Sequence, residues 1–481
     1  MLMEAMPHIQ SFRDATVVIK YGGHAMIERP TLLWWNCSDD VMLAIACAGF
    51  GLSVAVALGL ENALVMTALW ALYMSIAHVG QIFYGYGWEI LLLEAGFLAI
   101  FFCPLDRLRP FSRRYPPPEV LVWMLRWLTF RLMFGAGLIK LRGDACWRDL
   151  TCLEWHYETQ PLPNPLSWLF HRLPSGFHAG SVLFNHFVEL LVPFALFLPR
   201  PWRSRAAVII IAFQFILILS GNLSMLNWLS IVVVLGCFDD GALLRAVPKR
   251  LRQRVRTWVE QREPSALRGP LRRPLLIGLS LVIGFLSIEP AINLLSPRQR
   301  MNASFNPLHI VNTYGAFGAV GKERHEIIIE GTAAVDPTAV EPPAVEPTAV
   351  EPTDEAKWVE YEFKCKPGDV DRRPCAIAPY HYRLDWQVWF AAMSRVEHQP
   401  WLIHLVYKLL RGDAEGTELL EDNPFPEAPP RWIRIEHYRY RFTDWGEAGW
   451  WKRERIGSYM RAVSLDDPTL LGIVAQRNWN R

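Results

Sequence analysis

The sequence has little excess of charge of either sign. Its 481 residues contain 49 Lys and Arg against 47 Asp and Glu, a formal net charge of +2. A chain with so small a net charge gives no reason to expect a nucleic-acid partner. From the sequence we also expect no secretory signal peptide at Met1, because the first apolar stretch, ATVVI, is far shorter than the apolar region of such a signal. The class of the protein must therefore be judged from the features that the sequence does contain.

An α/β nucleotide-binding domain is also missing, although the first residues look like the start of one. The stretch EAMPHIQSFRDATVVIKYGGHAM resembles the beginning of N-acetylglutamate kinase, in which Lys20 and Gly22–Gly23 would face the phosphates. After Thr31 no alternation of strands and helices follows, and one strand with one turn cannot bury a core. We therefore expect residues 1–30 to be a kinase-like fragment that is not a domain and has no kinase activity.

Long apolar stretches dominate the chain from residue 31 to residue 296. Hydrophobic residues make up 52% of the sequence, and its 21 tryptophans are typical of membrane interfaces. The sixth stretch is too long for one crossing and is interrupted at LSGNLS, so it predicts two short helices, 206–220 and 223–238. The pattern predicts a polytopic α-helical membrane bundle of about seven to eight transmembrane helices. The stretches are 41–60, 62–84, 88–103, 119–142, 181–199, 206–238 and 275–296.

Clusters of Arg and Lys between these stretches predict the orientation of the bundle. The segment 239–274 is crowded with basic residues and should be cytoplasmic, as should RLRPFSRR (107–114) and PRPWRSR (199–205). Threading the chain between these loops leaves residues 143–180 and everything after about 297 on the outer side. Counting back through three crossings also leaves the first 40 residues outside.

The C-terminal region, 297–481, has strand character and should form a mainly β extramembrane domain. The segments RHEIIIEGT, WVEYEFKCKPG and RWIRIEHYRYRFTDW alternate β-branched or aromatic residues with polar ones, and PWLIHLVYKLL reads as a helical insertion. Between the first two lies a pentad repeat, AVDPTAVEPPAVEPTAVEPT (334–353). Its regular prolines and lack of aromatics predict a disordered, solvated loop.

Several long motifs resemble the lipase maturation factor family of multi-pass membrane proteins. They are FRLMFGAGLIKLRGDACWRDLTCLEWHYETQPLPNPLSWLFHRLP, NHFVELLVPFALFLP and PYHYRLDWQVWFAAM, together with SFNPLHIVNTYGAFGAVGKERHEIIIEGT and DNPFPEAPPRWIRIEHYRYRF. The resemblance covers the chain from about Pro30 to its end. At its start the sequence departs from the family, and we expect the first transmembrane helix and the first outer loop of the family to be absent.

The resemblance implies a folding assistant rather than an enzyme. Eukaryotic members of the family reside in the endoplasmic reticulum membrane and help secreted dimeric lipases to reach their active form. Bacterial relatives share the same body, so the resemblance implies either that membrane or a bacterial inner membrane. The expected partners are the lipid bilayer and a secreted lipase or another exported client protein, and no cofactor or metal is expected.

The outer loop, residues 143–180, is rich in aromatic residues and proline, so it could display aromatic surface beside the membrane. Its rings could bind partly folded clients, or they could pack the loop onto the helix ends. The candidates for client binding are Trp147, Trp155, His156, Tyr157 and Trp168.

Ionisable residues inside the apolar stretches are costly, so they predict ion pairs. Glu89 and Glu94 lie five residues apart on one stretch, and Arg126 and Arg131 lie five apart on another. We expect these residues to pair across the bundle as structural ion pairs, the alternative being a path for lipid or substrate. His186 and Glu189 are one helical turn apart and could face the same interior. Their spacing also suits a metal, but no further ligand cluster accompanies it.

One hypothesis of an enzymatic function remains open. The segment AGLIKLRGDACW also resembles the vitamin K-dependent carboxylase superfamily, in which a lysine at the membrane edge is catalytic, and Lys140 would take that place. A lysine desolvated at the end of an apolar helix can act as a base. The alternative is a lysine that extends its charge to the outer interface.

Four of the eight cysteines lie in the outer loop and the C-terminal region, and Cys37 is also on the outer side, where an oxidising compartment favours disulfides. The simplest connectivity joins Cys365 to Cys375 across the KPGDVDRRP turn. Cys146 and Cys152 would form a second local pair unless a helical turn holds them apart. Cys37 has no evident partner, and Cys47, Cys103 and Cys237 lie in or beside apolar stretches and should stay reduced.

Overall fold

The computed structural model describes residues 30–104, 118–260, 272–334, 357–477 and 479. The kinase-like segment up to residue 29 lies outside these residues, and so do nearly all of the pentad repeat and residues 261–271 of the expected cytoplasmic loop.

Four long helices open the fold: α1 (Asp39–Ala57), α2 (Ala63–Val79), α3 (Gly87–Phe102) and α4 (Glu119–Arg142). The side chain of Asn62 accepts a hydrogen bond from the backbone of Leu64 at 2.7 Å, which starts α2. Helix α4 ends at Gly143, where the backbone at Gly318 passes so close that a Cβ would overlap its carbonyl oxygen. The close approach requires glycine at the end of α4.

Three short helices follow and fill the expected outer loop: α5 (Ala145–Arg148), α6 (Leu153–Thr159) and α7 (Pro165–His171). Helix α7 begins with a capping box, in which the side chains of Asn164 and Ser167 each accept a hydrogen bond from the other's backbone. Pro165 occupies the first helical position, where its missing N–H costs nothing. The segment is thus a compact, capped structure.

The next helix, α8 (Ser175–His186), runs on through a π-helical turn, Phe187–Leu191, and a 3₁₀ turn, Val192–Phe197. Two further helices follow, α9 (Arg200–Ser220) and α10 (Leu226–Val234). The break between them at residues 221–225 agrees with the two short helices predicted from LSGNLS.

Four more helices complete this part: α11 (Asp240–Ala246), α12 (Lys249–Glu260), α13 (Arg272–Leu286) and α14 (Ile288–Leu295). Among the described residues, 5 helical segments are long and apolar enough to cross a membrane. Two shorter apolar helices, Ala63–Val79 and Leu226–Cys237, accompany them. The membrane region is therefore helical with several candidate spans, and the expected count of seven to eight is not confirmed. The 5 segments are Asp39–Ala57, Glu119–Arg142, Ser175–Phe197, Arg200–Ser220 and Arg273–Leu295.

The C-terminal region is built on an antiparallel sheet with the strand order β4-β3-β5-β6. A hairpin, β1 (Ala303–Ser304) and β2 (Asn312–Thr313), precedes the sheet. Strand β3 pairs with β5 over its whole length, from Arg324 opposite Tyr440 to Thr332 opposite Trp432. The strands of the sheet are β3 (Arg324–Thr332), β4 (Val359–Glu360), β5 (Trp432–Phe442) and β6 (Trp451–Val463).

The prediction of a mainly β domain needs correction, because helices contribute as much as strands. The segment WVEYEFKCKPG yields only the two residues of β4, since the chain then turns into the loop closed by Cys365 and Cys375. The predicted helix PWLIHLVYKLL is present as α16. The helices are α15 (Arg383–Ala392), α16 (Pro400–Leu410), α17 (Ala414–Thr417) and α18 (Pro468–Arg477).

The sheet and its helices pack against one end of the bundle, which we call the sheet end. Ile45 and Ile76 of the first two helices share one hydrophobic core with Ile327, Val388 and Leu405 of the C-terminal region. The sheet end comprises the connections 80–86, 143–174 and 221–225, and each is hydrogen-bonded to the C-terminal region.

The opposite end, which we call the far end, comprises the connections 58–62, 198–199 and 235–239. There the backbone of Ala63 donates a hydrogen bond to the carbonyl of Pro104 at 2.9 Å. Arg203 Nε likewise donates to the carbonyl of Cys237 at 2.8 Å. These contacts are few compared with those at the sheet end.

Candidate functional site

Glu94 of α3 and Arg131 of α4 form a buried ion pair inside the bundle, as predicted. Each side chain is 2% exposed. Glu94 Oε2 also accepts hydrogen bonds from the Tyr314 hydroxyl at 2.7 Å and from the backbone N–H of Asn312 at 3.0 Å. The paired charges therefore fasten the chain around β2 to two bundle helices.

The second predicted pair is absent. Glu89 instead accepts a hydrogen bond from Arg383 Nη1 of α15 at 2.6 Å, and Tyr73 donates another. Arg126 has no carboxylate partner among the described residues, and its guanidinium lies 4.8 Å from the centroid of the Trp123 ring. Glu89 is displaced from Glu94 toward the sheet end, whereas Arg126 lies toward the start of α4. Because α3 and α4 run antiparallel, Glu89 and Arg126 lie on opposite sides of the Glu94–Arg131 pair along the bundle axis, so they cannot pair with each other.

Lys140, near the end of α4, lies in a third buried polar cluster. Its Nζ donates to both carboxylate oxygens of Glu189, at 2.6 and 2.7 Å, and to Asn185 Oδ1 at 3.1 Å. Asn185 Nδ2 donates to Glu189 Oε2 at 2.9 Å, which closes the triangle. Glu189 lies in the π-helical turn, in which backbone hydrogen bonds join residues i and i+5, and its carboxylate points into the bundle. The Lys140 side chain is 5% exposed, so its Nζ contacts interior side chains and does not extend to the outer interface.

His186 does not share this cluster, which corrects its predicted ion pairing. Its Nε2 is 3.0 Å from the carbonyl oxygen of Trp147, so it contacts the outer loop. Within the described residues, no group of three or more His, Cys, Asp or Glu side chains could hold a metal ion.

Three of the aromatic residues proposed for client binding are interior: Trp147, His156 and Tyr157. Burial, with the nearby Lys140 ammonium adding to it, lowers the pKa of His156 to about 4. Burial raises the pKa of Tyr157 to about 12. These rings pack the loop together instead of forming a surface. Trp155 is partly exposed, and Lys322 Nζ lies 4.9 Å from the centroid of its ring.

A buried arginine ties the outer loop to the sheet. Arg324 of β3 donates to the carbonyl oxygens of Glu158 at 2.8 Å and Pro161 at 2.9 Å, and it pairs with Glu326 at 2.6 Å. From the other side, Glu158 Oε2 accepts a hydrogen bond from the backbone of Phe442 at 2.7 Å. Burial raises the pKa of Glu158, although this hydrogen bond acts against it. The outer loop and the sheet are thus joined by hydrogen bonds from both sides.

The remaining candidate, Trp168, takes part in a partly exposed aromatic group that we call the Trp168 cluster: Trp168, Arg172, Trp445 and Trp450. The Trp168 ring lies 4.8 Å from that of Trp445 and 5.8 Å from that of Trp450, in edge contacts. The Arg172 guanidinium lies 4.1 Å from its centroid. Trp445, in the turn between β5 and β6, is 66% exposed. The cluster therefore presents aromatic surface where the outer loop meets the sheet.

Both predicted disulfides are present. Cys146 and Cys152, with Cα atoms 4.7 Å apart, are bridged because α5 ends at Arg148 and the chain turns through Leu150, whose φ is +61°. Cys365 and Cys375 are bridged with Cα atoms 5.6 Å apart. The carbonyl oxygen of Cys375 accepts a hydrogen bond from Asn222 Nδ2 at 2.9 Å, so this bridge also contacts the sheet end of the bundle.

Sequence reasoning missed the residues that join the C-terminal region to the bundle: Arg324, Arg383 and Asn222. The two arginines carry no local signal, since each occupies an ordinary position at the start of a strand or helix. Asn222 interrupts an apolar stretch, and its side chain also accepts a hydrogen bond from the backbone of Ile377 at 3.0 Å. A polar residue at a break between two apolar helices was the one available sign.

Comparison with known proteins gives two matches that follow the structural division. Residues 9–245 match the family described as "Lipase maturation factor transmembrane domain", and residues 310–461 match "Lipase maturation factor C-terminal domain". The first match begins inside the segment that resembles a kinase, and the likeness to N-acetylglutamate kinase is not shown. No solved structure is significantly similar to the chain.

Curated relatives are similar to the chain over most of its length. Lipase maturation factor 1 of Bos taurus is 48% identical over 474 residues, covering 95% of this chain and 82% of the relative. The protein of the same name in Homo sapiens is 49% identical over 455 residues, covering 91% and 78%. Lipase maturation factor 2 of Homo sapiens is 28% identical over 568 residues, covering 93% and 77%.

Apolar helices with buried ion pairs and a C-terminal region built on a β-sheet define a protein of the membrane-embedded class. Within that class, the matches to relatives along nearly the whole chain are decisive. The chain belongs to the lipase maturation factor family.

Proposed function

We propose that the protein is a membrane-embedded maturation factor that assists the folding or assembly of a secreted lipase or another exported client protein. Membership of a family whose relatives carry the name lipase maturation factor supports this assignment. The observation that carries the site is the exposure of Trp445 beside Trp168, on a loop and sheet that are locked to the bundle.

We also propose that the chain crosses the membrane eight times, through α1, α2, α3, α4, α8, α9, α10 and the pair α13–α14. The connections at the two ends of the bundle alternate in this order. Basic residues concentrate at the far end, in 199–205 and 239–274, which supports a cytoplasmic assignment for that end. The sheet end and the C-terminal region then face the lumen of the endoplasmic reticulum, or the periplasm in a bacterium.

Reporter fusions test this topology. A fluorescent protein that matures only in the cytoplasm should be bright when fused after Arg256, and alkaline phosphatase should be active when fused after Asp466 in the C-terminal region. Phosphatase activity from the fusion after Arg256 would contradict the assignment.

The Trp168 cluster suits client recognition because it combines a large exposed ring with fixed geometry. Trp168 Nε1 donates to Thr443 Oγ1 at 3.3 Å, which holds the ring against the turn that carries Trp445. Leu166 and Leu169, on the same helix α7, are also exposed. Aromatic anchors in ordered settings dominate protein interfaces, because little side-chain freedom is lost on binding.

The decisive experiment compares Trp445→Ala with Trp202→Ala, which removes an exposed tryptophan from the far end. In cells that lack their own copy, Trp445→Ala should lower active secreted lipase while lipase synthesis stays constant. Binding of client to the purified protein should weaken at least about tenfold. Trp202→Ala should leave both unchanged. Equal lipase activity for wild type and Trp445→Ala, at matched protein levels, would exclude this surface.

We assign no catalytic role to Lys140, and the carboxylase reading is not supported. Replacing the lysine alone would leave Glu189 buried without its partner, so Lys140→Met combined with Glu189→Gln is the appropriate change. The double variant should fold and retain maturation activity. Loss of that activity in a stable double variant would reopen the enzyme hypothesis.

A further inference from the structure

Helix α12 at the far end combines basic side chains with an apolar face. Leu251 and Val255 lie one turn apart on the same side of the helix, and Leu251 is 49% exposed. Arg252 and Arg254 flank that side in the helical repeat. A helix with this division of residues is typical of one that lies in a membrane interface.

The charge is of one sign from the end of α11 through the first eight residues of α12, before Glu260 ends the helix. From Arg245 to Arg256 the sequence contains 6 basic residues and no Asp or Glu. The nearest acidic residues before this stretch are Asp239 and Asp240, at the start of α11. Asp239 caps that helix by accepting a hydrogen bond from the backbone of Ala242 at 2.8 Å. The basic residues therefore form a continuous cationic segment.

The position of α12 places this segment level with the ends of the apolar helices. Helix α11 follows directly from the apolar segment that ends at Cys237, and Arg203 Nε holds the carbonyl of Cys237 at 2.8 Å. Arg252 Nη2 donates to the carbonyl of Arg245 at 2.9 Å, which holds α12 against the end of α11. Leu243 on α11 is exposed as well. The hairpin of α11 and α12 thus lies where a bilayer surrounding the bundle must end.

We propose that α12, supported by α11, is an interfacial helix that binds the anionic phospholipid headgroups of the leaflet at the far end. Leu251 and Val255 enter the boundary between headgroups and acyl chains, while the arginines contact lipid phosphates. The apolar face is short, so attraction between the basic residues and anionic lipid supplies most of the binding.

A lipid surface fits this helix better than a partner protein does. The bundle already holds α12 at the membrane surface, so the lipid is present at high effective concentration without a separate encounter. A cationic segment that carries a shallow apolar face also matches a charged, laterally mobile headgroup layer.

Depth-sensitive labelling tests the orientation of the helix. The full chain, with the free cysteines Cys37, Cys47, Cys103 and Cys237 replaced by alanine, receives a single fluorophore at Leu251→Cys or at Gln253→Cys on the opposite face. In nanodiscs that contain phosphatidylglycerol, emission at 251 should shift to shorter wavelength, and emission at 253 should not. Nanodiscs of phosphatidylcholine alone should give a much smaller shift at 251. An equal emission wavelength at 251 in both lipids would overturn the proposal. It would mean that the helix does not bind anionic headgroups, and that its apolar face contacts a partner protein or nothing.

Charge removal tests the ligand. The number of phosphatidylglycerol molecules retained by the purified protein is counted by native mass spectrometry. Arg250→Gln and Arg254→Gln, which remove exposed charges, should each weaken retention about fivefold. Arg298→Gln, an exposed arginine following α14 at the sheet end, is the matched control and should have no effect. Unchanged retention in the double variant Arg250→Gln/Arg254→Gln, eluting as the wild type does, would refute headgroup binding.

Discussion

The two ends of the bundle use charged residues in opposite ways. At the sheet end, Arg383 and Arg324 are buried and held by Glu89, Glu326 and backbone carbonyls. At the far end, Arg200 lies 3.9 Å from Asp239 and its side chain is 79% exposed. Arginine occurs at both ends and is denser at the far end, but only burial separates the two uses of the side chain.

This difference teaches that buried charge fixes geometry, whereas exposed charge remains available for other ligands. A buried ion pair adds little net stability compared with apolar packing, but breaking it is costly because one charge is left without a partner. An exposed pair is screened by water and contributes little. Substitutions that remove one arginine from each end should therefore differ widely in effect.

Arg383→Leu should produce the largest effect. It leaves Glu89 buried without its ion-pair partner and removes the guanidinium that lies 3.7 Å from the centroid of the Tyr84 ring. The free energy of unfolding in detergent should fall by about 3–5 kcal/mol. Combining it with Glu89→Gln should recover most of the loss, as measured by denaturant titration. A loss as large in the double variant would mean that packing, and not charge, is the cause.

Removal of the Cys365–Cys375 disulfide by Cys375→Ser should have the next largest effect. The bridge closes a loop with a sequence separation of 10, and it also supports the contact with Asn222. A destabilisation of about 3 kcal/mol is expected, chiefly because the unfolded chain gains freedom. Cys47→Ser, which removes an exposed free thiol from α1, should leave the unfolding midpoint unchanged.

Acidification should act on the sheet end through its buried histidines. Burial, with a smaller effect of a nearby lysine, lowers the pKa of His156 and of His404 to about 4. Their contribution to stability is present above about pH 6.5, the value in the unfolded chain, and is lost as pH falls through 4.

The matched measurement compares wild type with His156→Gln between pH 7 and 4.5. The advantage of the wild type should shrink by about 2 kcal/mol across this range. Asp385 acts in the opposite direction, because burial raises its pKa to about 6, and its contribution declines as pH rises through that value. Since Asp385 is present in both proteins, the difference between them isolates His156. A difference that does not change with pH would contradict the assignment.

Arg200→Ala, at the far end, should have the smallest effect. The pair with Asp239 is long and exposed, so a change of less than about 1 kcal/mol is expected. Thermal unfolding of the two proteins side by side would show it. A loss comparable to that of Arg383→Leu would remove the distinction between the two ends.

The sequence was sufficient to predict those features that depend on short-range pattern. Apolar length predicted most helices of the bundle, the break at Gly221 and Asn222 separated α9 from α10, and the spacing of the cysteines predicted both disulfides. That Glu94 and Arg131 would find partners within the bundle was also predicted, because charges inside apolar helices are costly when unpaired, but the sequence did not specify which residues pair.

Long-range contacts were not predictable in the same way. The partner of Glu89 is Arg383, which is 294 residues away, and no periodicity connects them. The helix offset that excludes Arg126 requires the antiparallel packing of α3 and α4. The burial of Trp147 and His156 depends on contacts with Phe317, which lies 170 residues after Trp147, and Tyr157 is covered by His178 of α8. An aromatic residue in a loop looks the same in sequence whether it is covered or exposed.

The separation of Glu89 from Arg383 also has a consequence for the time course of biosynthesis. At about 5–20 residues per second, the ribosome needs roughly 15–60 s to make the 294 residues between them. During that interval the carboxyl group of Glu89 is already near the membrane, and its cationic partner does not yet exist. Tyr73 and Trp88 are made before Glu89. Their hydroxyl and Nε1 groups can therefore donate hydrogen bonds to its carboxylate during this interval. Until Arg383 is made, the nascent bundle therefore contains a buried carboxyl group without its ion-pair partner.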